Sequence, residues 1–227
     1  MPKIEWLKKE FHYGYNSGNV LSFFSDKIRR KEEKAIGGNY REVFNKALLP
    51  FLKKNSKVLE LGPGKGSWSV AILKYISNGE LTTIDFQDVL KWIRTEKYTG
   101  RLNCIKVKDN QYNELKNDYF DIFWSWGVLC HNNQDSISEI LKNSFSKVKK
   151  GGVAIHQYGD WEKLERYGWK KGGVPLEFKT LADDEIWWPR NTQKEMVKLA
   201  KEAGWTVLNK DLGLVKRDSI IVLRKDN

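Results

Sequence analysis

The sequence predicts an α/β protein with a doubly wound, mostly parallel sheet of seven strands, an antiparallel final hairpin and a small cap insertion. Three observations lead there. Short apolar runs alternate with helix-period segments between residues 57 and 158. The run FDIFWSW at 120–126 is almost wholly apolar, as a strand covered on both faces should be. The last two strand-like runs, 205–212 and 219–225, have no helix between them and so read as a closing antiparallel pair. The 227 residues suffice for one such domain, read here as spanning 1–227.

The elements follow in order. Residues 1–38 are rich in aromatics and charge, and HYGYNSGN at 12–19 interrupts regular structure with Gly14 and Gly18. Tyr40, Val43, Phe44, Ala47, Leu48, Phe51 and Leu52 then recur at helical steps, with Pro50 placed to bend the last turn. KVLEL (57–61) is a strand, SWSVAILKYI (67–76) a helix, LTTID (81–85) a strand and QDVLKWIRTEKY (87–98) a helix. Strands follow at 103–108 and 120–126. A helix over 136–149 opens on the capping box Ser136 and Glu139, and a strand over 152–158 comes after it. A second capping box, Thr192 and Glu195, starts a helix that Gly204 closes. Residues 159–190 hold four tryptophans without a clean period, which suits a substrate cap inserted after the fifth strand.

Composition narrows the partners. Forty Lys and Arg against 29 Asp and Glu leave a net charge of +11, which suits a solvated surface or an anionic partner. The cations are scattered, however, with only short clusters such as Lys149-Lys150 and Lys170-Lys171. Two cysteines, Cys104 and Cys130, are too few for a disulfide framework or a zinc site, so no metal is expected and free thiols in a reducing cytoplasm are. No stretch approaches the roughly 20 apolar residues of a membrane span, and the first residues do not read as a signal peptide.

The loop VLELGPGKGSW at 58–68 carries the chemistry. A phosphate loop needs Lys and then Ser or Thr after its last glycine, whereas Lys65 precedes Gly66. Gly62 and Gly64 fit the dinucleotide fingerprint, but its third small position falls on Ser67 and Gly66 comes one residue early. Glu60 before the loop would repel a pyrophosphate, and Asp85 ends the second strand where a carboxylate can accept ribose hydroxyls. The combination suits a cationic nucleoside without phosphate.

With E-x-G-x-G-x-G after strand one, an acid ending strand two and a strand reading FDIFWSWGVLCH, the chain resembles the class I S-adenosylmethionine-dependent methyltransferases over about residues 56–158 by motif. The strand order, hairpin included, extends that resemblance to the end. It implies that Glu60, Gly62, Gly64 and Gly66 shape the methionine pocket, that Asp85 holds the ribose and that Phe86 packs on the adenine. Asp109 and Asn110 would meet the adenine amine, and Ser125, Trp126 and Gly127 would line the floor under the sulfonium. The N-terminal segment, 1–38, would close over the cofactor, with Tyr13 and Tyr15 as contacts.

Methyl transfer from a sulfonium needs alignment, exclusion of water and, for an alcohol acceptor, a base. His131 after the fourth strand is the candidate base, and Asp160 beyond the fifth strand is the second. Arg166, Lys170 and Arg190 around the cap would grip an anionic small acceptor such as a phosphorylated or nucleotide-linked sugar. Size and lysine content also resemble bacterial methyltransferases of surface-polysaccharide (capsule) and phosphoramidate modification, which points to O-methylation. No amino-directed nucleic-acid motif is present, which speaks against nucleic acid. An RNA methyltransferase using the basic surface and a non-catalytic S-adenosylmethionine-binding module are the competing readings, and the cap aromatics would equally serve a homodimer surface.

Overall fold

A computed structural model of the chain describes residues 9 and 11–226. Seven strands form one sheet: β1 Lys57–Leu61, β2 Glu80–Asp85, β3 Leu102–Lys106, β4 Phe120–Ser125, β5 Val148–Gly159, β6 Thr206–Asn209 and β7 Asp218–Arg224. Their order is β3-β2-β1-β4-β5-β7-β6. The pairs from β3 through β5 are parallel, and β7 is antiparallel to both β5 and β6. This is the expected doubly wound sheet with its closing hairpin.

The period of two along each strand divides the core. Val58, Trp124, Ile155 and Val222 project to one face, where they meet Tyr40, Phe44, Trp68 and Ile72. Leu59, Phe123, Ala154 and Leu223 project to the other. There α4, Gln134–Phe145, supplies Ile137, Ile140 and Leu141, and α7, Gln193–Glu202, supplies Met196, Leu199 and Ala200. β4 lies between two covered faces, which is why its sequence is nearly continuously apolar.

The first helix described in full, α1 Lys27–Ile36, has no counterpart among the expected elements. Asp26 caps it by accepting from Arg29 N, and Gly37 ends it at φ 64°, but its exposed charges hide any apolar stripe. The helix expected from Tyr40 begins as α2, Tyr40–Val43, passes through a π turn and ends as a 3-10 turn at Leu49–Phe51, where Pro50 breaks the ladder. α3, Ser67–Tyr75, follows the glycine loop as expected.

Two other expectations need correction. Residues 87–98 are not a helix: turns anchored by Asp85 and Asp88 carboxylates lead only to a 3-10 turn at Thr95–Tyr98. These side chains accept from Gln87 N and Leu90 N, offering the backbone a local alternative to a helical ladder. At α4 the cap is Asn133, which accepts from Ser136 N, rather than the Ser136 capping box. At α7 Thr192 is the cap as expected, its Oγ1 accepting from Glu195 N at 3.3 Å and donating to Glu195 Oε2 at 3.0 Å, but Thr192 N donates to Asn191 Oδ1, so the second half of the box does not form.

The insertion folds as α5 Trp161–Tyr167, α6 Trp169–Gly172 and a 3-10 turn at Leu176–Lys179. Leu164, Trp169, Val174, Phe178, Ile186 and Trp188 give it a small core of its own together with Cys130. The missing period therefore reflects packing around indole rings, not disorder.

Candidate functional site

Strand order reverses between β1 and β4, and open α/β sheets bind ligands beyond the carboxyl ends of their strands at that crevice. A cleft with about 780 Å³ of space between protein atoms, its mouth included, opens there. Gly62 and Gly64 after β1, Asp85, Phe86 and Gln87 after β2, and Gly127, Val128 and His131 after β4 line it. Phe11, Tyr15 and Trp92 complete its wall.

Gly62, Gly64 and Gly66 all have positive φ, so the loop turns sharply into α3 and presents backbone rather than side chains. Gly66 sits at the N-cap of α3, against Ile93 rather than in the cleft. Gly64 is the most constrained of the three. A Cβ there would lie 2.4 Å from the Tyr15 carbonyl oxygen.

That carbonyl belongs to an N-terminal strap seated on the loop. Tyr15 O accepts from Lys65 N at 2.8 Å, Ser17 Oγ accepts from Trp68 Nε1 at 3.2 Å, and Gln87 Nε2 donates to Phe11 O at 2.5 Å. The Tyr15 hydroxyl is bound to Glu32 of α1. Arg29, fully buried, ties the strap down by donating to the Asn19 and Ser22 carbonyls and pairing with Glu33. Of the segment expected to close over the cofactor, residues 1–8 and 10 lie outside the described residues; of the rest, Tyr15 is on the cleft and Tyr13 is half exposed outside it.

Replacing Gly64 by Ala should lift the strap. The clash is with main chain, which cannot rotate away, and the residue sits at φ 54°; strain of this kind costs of order 1–3 kcal/mol. Gly62→Ala meets only the Val128 Cγ2, which a rotamer change can clear. Limited proteolysis should therefore cut the strap faster in Gly64→Ala than in Gly62→Ala, and equal rates would show that the strap does not depend on this contact.

Asp85 stands at the end of β2 with one oxygen accepting from Gln87 N at 2.8 Å. Burial pushes its carboxyl up to about 6, partly offset by that bond and by one from Phe86 N. A half-buried carboxylate with spare lone pairs beside bare glycine backbone fits a ribose diol.

Glu60 does not face the cleft. It is buried within β1, accepts from Ser69 Oγ of α3 at 2.5 Å, and desolvation pushes its carboxyl up to about 7. Its role is to join strand to helix, and at neutral pH it carries only part of a negative charge.

The residues expected under the sulfonium and near the adenine also separate. Gly127 is on the cleft, its N–H donating to Gln157 Oε1 at 2.8 Å. Ser125 is buried against His156 Nδ1 at 2.8 Å, and Trp126 packs among Tyr40, Trp68 and Trp124. Phe86 lines the cleft, but Asp109 is an exposed turn residue accepting from Gln111 N, and Asn110 is buried against Glu139 and Asn143. Trp92, Phe11 and Gln87, which were not among the expected site residues, also line the cleft. In sequence, nothing distinguished Trp92 from a core residue of a helix.

His131 reaches the cleft from the turn after β4. Its Nδ1 lies 2.7 Å from the Trp187 carbonyl, which can only accept, so Nδ1 carries the proton and Nε2 keeps its lone pair. The ring packs against Phe11 at 4.6 Å and Trp188 at 5.2 Å, and burial draws its titration down to about 4. The cap therefore meets the site through this histidine.

The other proposed catalytic and acceptor residues do not. Asp160 is fully buried as the N-cap of α5, accepting from Glu162 N, Lys163 N, Gln193 Nε2 and Ser219 Oγ. Its carboxylate is engaged by two α5 backbone N–H groups, by Gln193 of α7 and by Ser219 of β7. Arg190 pairs with Asp183 and donates to the Phe178, Lys179 and Leu181 carbonyls, so it braces the cap. Arg166 and Lys170 are exposed on the outer sides of α5 and α6, away from the cleft. Among the described residues no cluster of His, Cys, Asp and Glu could hold a metal ion, and no helix is long and apolar enough to cross a membrane.

The family described as "Methyltransferase domain" matches residues 29–210. No curated protein matches the chain. Among solved structures, a protein of Pyrococcus horikoshii is similar at TM-score 0.63 and 16% identity, over 91% of this chain and 95% of that one. A SAM-dependent methyltransferase from Aquifex aeolicus is similar at 0.62 and 18% identity, over 90% and 100%. So is the Burkholderia thailandensis 1,6-didemethyltoxoflavin-N1-methyltransferase, solved with its substrate and S-adenosylhomocysteine, at 0.62 and 13% identity over 88% and 82%.

Proposed function

Because the chain belongs to the methyltransferase-domain family, we propose that it transfers the methyl group of S-adenosylmethionine to a hydroxyl of a small acceptor held beside His131. The observation that carries the reading is one cleft in which bare backbone at Gly62, Gly64 and Gly127 faces the Asp85 carboxyl. The glycines leave room for close approach, and a carboxylate with spare lone pairs accepts two hydroxyls of a ribose.

The bound donor supplies a sulfonium-activated methyl group. The chain's own residues do the rest. Asp85 orients the nucleoside, the Tyr15 strap covers the glycine loop, and Phe11 with Trp92 keeps water from the cleft. His131 Nε2 accepts the acceptor's hydroxyl proton while the Trp187 carbonyl holds the ring by Nδ1.

The acceptor is read as uncharged. An anionic, sugar- or phosphoramidate-linked acceptor from surface-polysaccharide modification would need cations at the cleft. Arg166, Lys170 and Arg190 stand elsewhere, and the walls near His131 are aromatic. The B. thailandensis enzyme, whose substrate is 1,6-didemethyltoxoflavin, is a precedent on the same fold for a small-molecule acceptor.

Calorimetric titration tests the cofactor assignment. S-adenosylhomocysteine should bind at one site per chain, while NADH and ATP should not compete with it. Uptake of ATP or NADH with no response to S-adenosylhomocysteine would overturn the assignment.

A further inference from the structure

Among the described residues, the outer turn of the strap carries the two most exposed large apolar side chains. Phe23 is 74% and Phe24 80% exposed, and the two rings meet edge to face at 5.1 Å. In the first turn of α1, Ile28 is 47% exposed. Phe, Phe and Ile carry no polar handle, and two adjacent Phe side chains in water forgo a large burial gain.

Around them the charge is one-sided. Lys27, Arg30, Lys31 and Lys34 are all exposed and lie on the side of α1 opposite the buried Arg29 and Ile36. Among the described residues none of these four cations forms an ion pair; Arg30 only donates to the Ser25 carbonyl. The neighbouring acids are occupied internally. Asp26 accepts from Asn19 N and Arg29 N, Glu32 from Tyr15, and Glu33 from Arg29, Ser25 and Tyr40 N.

We propose that this turn and the outer face of α1 form a docking surface for an anionic lipid bilayer, with Phe23, Phe24 and Ile28 entering the interface and the four cations meeting lipid headgroups. Amphipathic elements with apolar tips and a Lys/Arg face bind in this way. A second copy of the chain is a poor occupant, since a two-fold contact here would set four cations against four. Nucleic acid is a poorer match too. The rings meet edge to face and offer no pair of parallel surfaces to stacked bases, and the aliphatic Ile28 adds nothing to stacking. The surface continues directly into the segment that covers the glycine loop, so a docked chain would hold its cleft near the membrane.

The test uses the full chain and large unilamellar vesicles, either phosphatidylcholine alone or phosphatidylcholine mixed equally with phosphatidylglycerol. The chain should co-sediment with the mixed vesicles and remain in solution with the neutral ones. Phe23→Ser with Phe24→Ser should reduce partitioning about tenfold or more. Lys27→Gln with Lys31→Gln should reduce it about 25-fold, from about fivefold per cation near an anionic surface. Both variants should keep the wild-type affinity for S-adenosylhomocysteine, which separates a lost surface from a lost fold. The proposal fails if the wild type ignores both vesicles, or if both double variants bind the mixed vesicles as the wild type does. It also fails if these changes abolish binding to a single-stranded RNA homopolymer and leave vesicle binding intact.

Discussion

Asp85→Ala is expected to weaken S-adenosylhomocysteine binding by about 100-fold, because hydrogen bonds to a charged group contribute about 1.5–3 kcal/mol each and a ribose offers two. The neutral Asp85→Asn should recover little, since an amide presents one acceptor oxygen and a donor where two acceptors are needed. The pH dependence carries a sign that tests the same group. Burial raises the Asp85 carboxyl to about 6 in the free protein. The ionised form is the one that accepts two hydroxyls, so affinity should be full above pH 6 and fall as pH drops through that value. An ordinary exposed aspartate would hold its affinity down to about pH 4. In Asp85→Ala the step near pH 6 should vanish. A variant that binds as tightly as the wild type at pH 7.5 would remove Asp85 from the site.

Asp85 and the glycine loop were legible because their meaning is local. A strand that ends in an acid places that acid at the sheet edge, and a turn with glycines at 62, 64 and 66 needs no distant partner to be recognised. The seven strands were legible for the same reason, since a short apolar run is written in neighbouring residues. Glu60 shows where local reading stops. Its place before the loop was evident, but only the approach of Ser69 from α3 determines that its carboxyl turns inward. Ser125 ends the strand that leads to the cleft and Trp126 follows it, yet alternation sends their side chains into two opposed cores. The cap failed in a different way. Arg190 is a cation in the expected segment, but its donors are spent on Asp183 and three carbonyls, and no spacing in the sequence records that. Trp92 and the Tyr15 carbonyl join the site through contacts with residues far along the chain, which a single sequence does not reveal.

His131→Ala is expected to lower kcat by about 100-fold on a hydroxyl acceptor, the lower end of the range for general-base catalysis. The lower end follows from the environment. Burial beside Phe11 and Trp188 draws the imidazole to about 4, so it is a weaker base than a free histidine. What it gains is readiness: at neutral pH the ring is in its neutral form, and the Trp187 carbonyl fixes its one ring proton on Nδ1. At saturating donor, where Asp85 is already engaged, kcat should stay level from pH 7.5 down to about 5 and decline only as pH nears 4. A histidine in water would impose its decline near 6.5 instead. His131→Gln separates position from proton transfer, because an amide can fill the site and bond to Trp187 but cannot take a proton. It should remain folded and bind S-adenosylhomocysteine as the wild type does, with kcat as low as in His131→Ala. If His131→Gln turns over at the wild-type rate, the ring serves only to seat the cap, and the acceptor must lose its proton to water or to another group.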